Sequence, residues 1–154
     1  MSTHTAVIHW NRPSLEFCSG RYSREHTWRF DGGIEVAASP SPHVVPAPWS
    51  NPANVDPEEA FVASVASCHM LTFLFIAAKA GFAVRSYEDH AVGVMTKNAG
   101  GRLWVSEVTL RPKIDWQGER VPSAAELEHL HEAAHADCFI ANSVRTEIRV
   151  EAQP

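Results

Sequence analysis

Apolar residues run almost without interruption from Ala60 to Ala80 of this 154-residue chain, while elsewhere they alternate with polar ones over short stretches. The long run, DPEEAFVASVASCHMLTFLFIAAKAG at 56–81, predicts one helix. Asp56 can accept from the free N–H groups of the first turn, Pro57 suits the first helical position, and Glu58 and Glu59 set negative charge against the positive helix end. Gly81 supplies a left-handed stop. Such a run also meets the length of a membrane span, about 20 residues. Ser64, Ser67, Cys68, His69 and Thr72 interrupt it and charges flank it, so the expectation is a central core helix wrapped by other elements, with no membrane partner. Ser64, Cys68 and Thr72 recur every fourth residue and form one polar stripe along it.

Before that helix the pattern is that of strands. HTAVIHW at 4–10 predicts a short strand and Asn11 to Ser14 a turn; Leu15 to Phe30 alternates unevenly; Asp31-Gly32-Gly33 then turns into the strand IEVAAS. The first forty residues thus read as an antiparallel meander. Five prolines between Ser39 and Val55 exclude helix and central strand and predict a long ordered loop that shapes a pocket wall.

After Gly81, YEDHAVGVMTK and RLWVSEVTLRPKIDW alternate as strands, joined by a hairpin at Asn98-Ala99-Gly100-Gly101. Ser123 and Glu126 make a capping box for the amphipathic helix SAAELEHLHEAAHAD, with Leu127, Leu130 and Ala134 on one side. CFIANSV reads as a short helical or turn piece and RTEIRVEA as a closing strand. The class is α+β, in one domain over 1–154. Short antiparallel sheets from one chain do not cover a helix this apolar, which predicts a dimer that shares its core.

Composition narrows the partners. The net charge of -5, with 13 scattered basic residues, gives no footprint for nucleic acid or anionic lipid and leaves small molecules and proteins. The N-terminus lacks the basic start and apolar stretch of a secretory signal, so a cytoplasmic location is expected. Cys18, Cys68 and Cys138 are too few for a disulfide scaffold and form no CxxC pair, which points to thiols kept reduced or used in chemistry.

His131-Glu132-Ala133-Ala134-His135 matches the HExxH zinc spacing, but Cys138 and Ala141 stand where the extended metzincin pattern wants Gly and His. A third ligand would have to come from a glutamate of the 147–151 strand. The expectation is therefore a solvated helix face, with no metal or cofactor assigned and a metal-dependent hydrolase as a lesser alternative. Cys68 and Cys138 together suggest a reactive thiol with a resolving partner that captures a sulfenic acid as a disulfide. Cys68 lies about three turns from its helix start, beyond reach of the dipole, so an activating cation has to come from elsewhere. Arg21, Arg24 and Arg29 of the first meander are the supply.

DPEEAFVASVASC resembles the first-cysteine motif of the OsmC/Ohr family, the osmotically inducible and organic hydroperoxide resistance proteins. ADCFIANSV resembles that family's second-cysteine motif, usually nearer CPVSNSL, with Phe139 in place of proline. The resemblance covers roughly residues 15 to 150. It implies an OsmC-like fold of antiparallel sheets wrapped around two central helices in an intertwined homodimer, and reduction of organic hydroperoxides by a two-cysteine cycle. In that cycle Cys68 is peroxidatic, Cys138 resolves, and Glu58 orients the activating arginine. Glu58 and Cys68 stand ten residues apart on one helix, about 15 Å, so the glutamate acts through a partner subunit or a bridging arginine.

The loop before the helix has no arginine, a departure from the family pattern, and Arg24 is assigned the role with Arg21 and Arg29 as competitors. His26 and His69 are candidates to tune the thiol. Phe61, Leu71, Val44, Val45 and Trp49 are expected to line a site for bulky organic peroxides. A dithiol or a thioredoxin-like protein would recycle the disulfide, and Cys18 is read as structural. Phe139 and the arginine position keep a non-enzymatic stress-related binding protein of the same fold as the alternative.

Overall fold

The computed structural model describes residues 1–11 and 16–153. The turn expected at Asn11–Ser14 lies, apart from Asn11, outside the described residues, as does Leu15. The chain divides into two compact units, Met1–Ala60 and Phe61–Pro154.

In the first unit β1 (Ala6–His9), β2 (His26–Phe30) and β3 (Glu35–Ala38) form an antiparallel sheet in that order, which is the expected meander. Its hairpin closes where the Gly33 N–H donates to the Phe30 carbonyl at 3.0 Å. Gly33 holds φ +84, a conformation that glycine adopts without a Cβ penalty. The proline-rich segment is an ordered loop whose ends meet: Ser39 N–H donates to the Val55 carbonyl and Val55 N–H to the Ala37 carbonyl. The Ser39 hydroxyl accepts from the Asn51 N–H at 2.8 Å and braces the middle.

Helix α1 (Pro57–Lys79) starts and stops at the residues its caps dictate. The Asp56 carboxylate accepts from the Glu59 N–H at 2.8 Å, while the Glu59 carboxylate accepts from the Asp56 N–H at 3.1 Å. This is a reciprocal capping box with aspartate in place of serine or threonine. At the other end Phe82 N–H donates to the Ala77 carbonyl and Gly81 N–H to the Ala78 carbonyl, with Gly81 at φ +80. That paired arrangement is the Schellman stop, and it buries Phe82.

The second unit adds β4 (Ala83–Asp89), β5 (Val92–Lys97), β6 (Leu103–Leu110), β7 (Pro112–Gln117), α2 (Ala124–Asp137) and β8 (Glu147–Val150). The two long strands of the sequence each break once, at His90–Ala91 and at Arg111, giving a β4–β7 pair and a β5–β6 pair. Asp89 faces Pro112 and Val92 faces Thr109, so the register runs through the break unchanged. The Asp89 carboxylate accepts from the Arg111 N–H at 2.7 Å and fastens the bend. The sheets are antiparallel as expected except at one pairing, where β8 joins β6 in parallel and completes a sheet of order β5-β6-β8. It reaches that position by returning across α2, a connection long enough for parallel pairing.

Along α1 only Val65, His69, Phe73 and Ala77 are buried, spaced every fourth position. The first half packs Val65, with Phe61, Val62 and Ala66, on Val108 and Leu110 of β6 and Ile148 and Val150 of β8. The second half packs Phe73 and Ala77 on Phe82, on Leu130 and Ala134 of α2, and on Trp116 and Ile114 of β7. The expectation of a helix covered on all sides is therefore corrected within one chain, since Leu71 and Phe75 stay 63% and 60% exposed.

Gly93 is what lets β5 lie close to α1, because a Cβ there would stand 2.5 Å from the Val62 Cγ2 and 3.6 Å from the Val105 Cγ1. Both neighbours are short, branched and packed, so little can yield. Gly93→Val is expected to lower stability by about 2–3 kcal/mol through overpacking, read from the urea midpoint. Gly32→Ala, where a Cβ meets nothing within 4 Å, should change it by about 0.5 kcal/mol or less.

Candidate active site

Cys68 sits where the two packed halves of α1 meet, and Cys138 ends α2 as its C-terminal cap residue. Separated by 70 positions, the two sulfurs approach to 2.8 Å, with the Cys138 thiol donating to the Cys68 sulfur; both cysteines are free. The turn after α2 adds backbone donors. Ile140 N–H points to the Cys68 sulfur at 3.5 Å and Ala141 N–H to the Cys138 sulfur at 3.4 Å.

The two thiols are not equivalent. Cys138 is buried, and burial, followed by the hydrogen bond it gives to Cys68, pushes its thiol up from the ordinary cysteine value. It stays protonated and serves as a donor. Cys68 is half-buried and receives donors from Cys138 and Ile140. The polar stripe read from the sequence around it closes on the helix itself: the Ser64 and Thr72 hydroxyls donate to the Phe61 and Cys68 carbonyls.

Asn142, which sequence reading did not single out, shapes this turn. Its amide donates to the Ala136 carbonyl at 2.7 Å and to the Cys138 carbonyl at 3.0 Å, satisfying exposed acceptors at the end of α2. Its place inside ADCFIANSV was the available signal. Phe139, the departure from the family motif, is 82% exposed, so its ring fills no core position.

A buried histidine pair lies beside the thiols. His69 Nε2 and His131 Nδ1 are 3.0 Å apart, with ring planes 9° from parallel. This corrects the reading of the HEAAH helix as a wholly solvated face: His131 is buried, while Glu132 and His135 are exposed. The signal was present in the spacing, since His131 follows Leu127 by four and His69 falls midway between Val65 and Phe73. Among the described residues no three His, Cys, Asp or Glu side chains gather as a metal-binding group.

The remaining predicted residues fall as follows. Arg24 is half-buried in the first unit and donates to the Tyr22 and Gly20 carbonyls, with its guanidinium 4.1 Å from the centre of the Tyr22 ring. Among the described residues it has no carboxylate partner. Arg29 pairs with Glu35 at 3.6 Å. His26 is engaged at both ring nitrogens, by the Arg24 carbonyl and the Trp28 indole, so it braces the arginine's backbone. Glu58 is half-buried on the first turn of α1.

Of the expected lining residues, Phe61 borders a groove with Trp104 and Arg145, whereas Leu71 and Val44 are exposed. A pocket of about 470 Å³ in the first unit is lined instead by Trp10, Phe17, Tyr22, Arg24, His26 and Pro40. Val44, Val45 and Trp49 do not line it; the Trp49 carbonyl accepts from the Arg24 N–H at 3.1 Å.

The family model for OsmC-like proteins matches residues 50–153, a span that holds both cysteines. The chain belongs to the OsmC-like family. An OsmC-like protein of unknown function from Vibrio cholerae O1 biovar eltor is 53% identical over 99% of this chain and 100% of its own, with a TM-score of 0.96. An organic hydroperoxide resistance protein from Elizabethkingia anophelis shares 19% identity and a TM-score of 0.72 over 99% of this chain and 94% of its own. For OhrB of Bacillus subtilis the values are 16%, 0.68, 99% and 98%. At such identities the likeness is one of fold, and the α+β OsmC-like architecture is shared by all three. No curated protein matches the chain.

The histidine pair gives this OsmC-like chain a defined acid response. Burial pulls both His69 and His131 down to about 4, with the charges of His131 and His135 adding to the effect at His69. Unfolded, each titrates near 6.5, so between these values the unfolded chain binds more protons and stability rises with pH. The stabilisation is fully present above about pH 6.5 and drains away as the pH falls toward 4. Urea midpoints measured across that window should fall by on the order of 2–3 kcal/mol of stability in wild type, with a shallower fall in His131→Phe.

Proposed function

We propose that this chain is a thiol peroxidase that reduces organic hydroperoxides, with Cys68 as the attacking sulfur and Cys138 as the resolving one. The observation that carries the reading is the asymmetric thiol pair, in which a buried, protonated Cys138 donates to a half-buried Cys68 at 2.8 Å. The Cys68 thiolate attacks the outer oxygen of ROOH, the O–O bond breaks, and the alkoxide leaves and takes a proton as ROH, leaving a sulfenic acid. The Cys138 sulfur, giving up its proton, then attacks the Cys68 sulfur and expels water, so both thiols end as one disulfide. An exogenous dithiol or a thioredoxin-like protein supplies the two electrons that restore them. The names of low-identity relatives of the same fold, organic hydroperoxide resistance proteins, support the same reading.

Arg24 is our assignment for the cation that raises the thiolate fraction of Cys68 and meets the developing alkoxide, with Glu58 orienting it. Its guanidinium has carbonyl and ring partners and, among the described residues, no carboxylate to neutralise it. A homodimer is part of the proposal: the exposed Leu71 and Phe75 face of α1 asks for a second copy, and light scattering should return twice the 17.0 kDa chain mass. A reducing cytoplasm suits the recycling step.

One equivalent of cumene hydroperoxide should remove two thiols and the mass of two hydrogens from wild type, while Cys138→Ser collects sulfenic or higher acids and Cys68→Ser does not react. Arg24→Ala should slow thiol loss about tenfold or more, Arg29→Ala little. Wild type that kept its thiols while the peroxide persisted would sink the peroxidase and leave the non-enzymatic binding protein.

A further inference from the structure

The two sulfurs belong to different helices, so their separation is set by how α1 lies against α2. The apolar contact between these helices, Phe73 and Ala77 on Leu130 and Ala134, is non-directional and tolerates small slides. The His69–His131 hydrogen bond does not, because its strength falls steeply with distance and angle. Among the described residues it is the one hydrogen bond between ring side chains of α1 and α2, and it lies one residue from Cys68 and seven from Cys138.

This bond is costly to keep. His69 Nδ1 and His131 Nε2 are buried without a hydrogen-bond partner, and whichever ring donates, each histidine leaves one ring nitrogen unsatisfied. Two apolar side chains of similar shape would fill the same space next to Phe73 without that penalty. A polar pair less stable than its apolar replacement calls for a role other than holding the fold together.

We infer that the His69–His131 hydrogen bond is a positioning clamp that fixes α1 against α2 at the thiols and so governs how readily Cys68 and Cys138 join. The clamp rests on the thiol-pairing half of the cycle above and not on the peroxide step. Its measure is the exchange of the dithiol with oxidised glutathione, in which the protein loses two electrons and two protons and glutathione disulfide becomes two glutathione thiols.

The experiment is that equilibrium at pH 7, read by alkylation and mass in a Cys18→Ser background that removes the exposed thiol. Replacing the pair by His69→Leu/His131→Phe should leave the urea midpoint at or above its starting value while lowering the equilibrium constant for the Cys68–Cys138 disulfide at least tenfold. His69→Gln/His131→Asn places amides where the bonded Nε2 and Nδ1 atoms stand, and should hold the constant within threefold. An apolar pair that folds with an unchanged constant would overturn the clamp, and so would an amide pair that loses as much as the apolar one. Failure of the apolar pair to fold would also overturn it, since that is what a purely structural bond predicts. If the Cys18→Ser chain with both histidines forms no Cys68–Cys138 disulfide, the thiol-pairing reading itself fails, which the variants' constants distinguish from loss of the clamp alone.

Discussion

Everything in the candidate site depends on one meeting, that of a sulfur in the middle of one helix with a sulfur at the end of another. A mid-helix cysteine has no local partner, because its own backbone donor is spent in the helix and the free N–H groups lie turns away. What it receives has to arrive from a distant part of the chain. Here the arrival is the turn after α2, which brings it the Cys138 thiol and the Ile140 amide, while the Ala141 amide donates to Cys138. The halves of α1 on either side of Cys68 pack on different partners, so the thiol occupies the joint between two small cores rather than the middle of one.

Local chemistry was legible in the sequence and long-range choice was not. The ends of α1 and α2, the turns at 31–33 and 98–101, and the loop character of 39–55 all follow from residues that act within four positions of themselves. The parallel seat of β8 does not, since nothing in RTEIRVEA says which strand it will join or in which direction. The burial of His131 stayed hidden for a different reason. Its place four residues after Leu127 put it on the apolar stripe, but the partner that engages it there, His69, is 62 positions away. The pairing of Cys68 with Cys138 came from the chemistry of a reactive and a resolving thiol and from motif resemblance, because periodicity cannot join residues 70 apart. The lining assigned to Val44, Val45 and Trp49 came from loop length, a rule that says a loop matters without saying which side chains face inward.

Charge is used sparingly. Most ion pairs are exposed pairs of modest worth, such as Arg85–Asp115 and Arg149–Glu147. Around the candidate site the polar contacts come from two thiols, two imidazoles and the backbone amides of one turn. Such a centre answers to electron supply more than to salt.

The bent hairpin has a consequence for how the second unit can vary. Because β4 continues into β5 and β6 into β7 without a register change at the elbow, one bent hairpin links two sheets, the one under the start of α1 and the one under its end. A residue inserted or deleted at the tip leaves both ladders free to re-pair. The same change near His90 instead shifts one sheet against the other and turns every side chain of a strand to its opposite face. Length changes in this fold are therefore tolerable at the far end of the hairpin and forbidden at its elbow, although the elbow, like the tip, carries no regular structure.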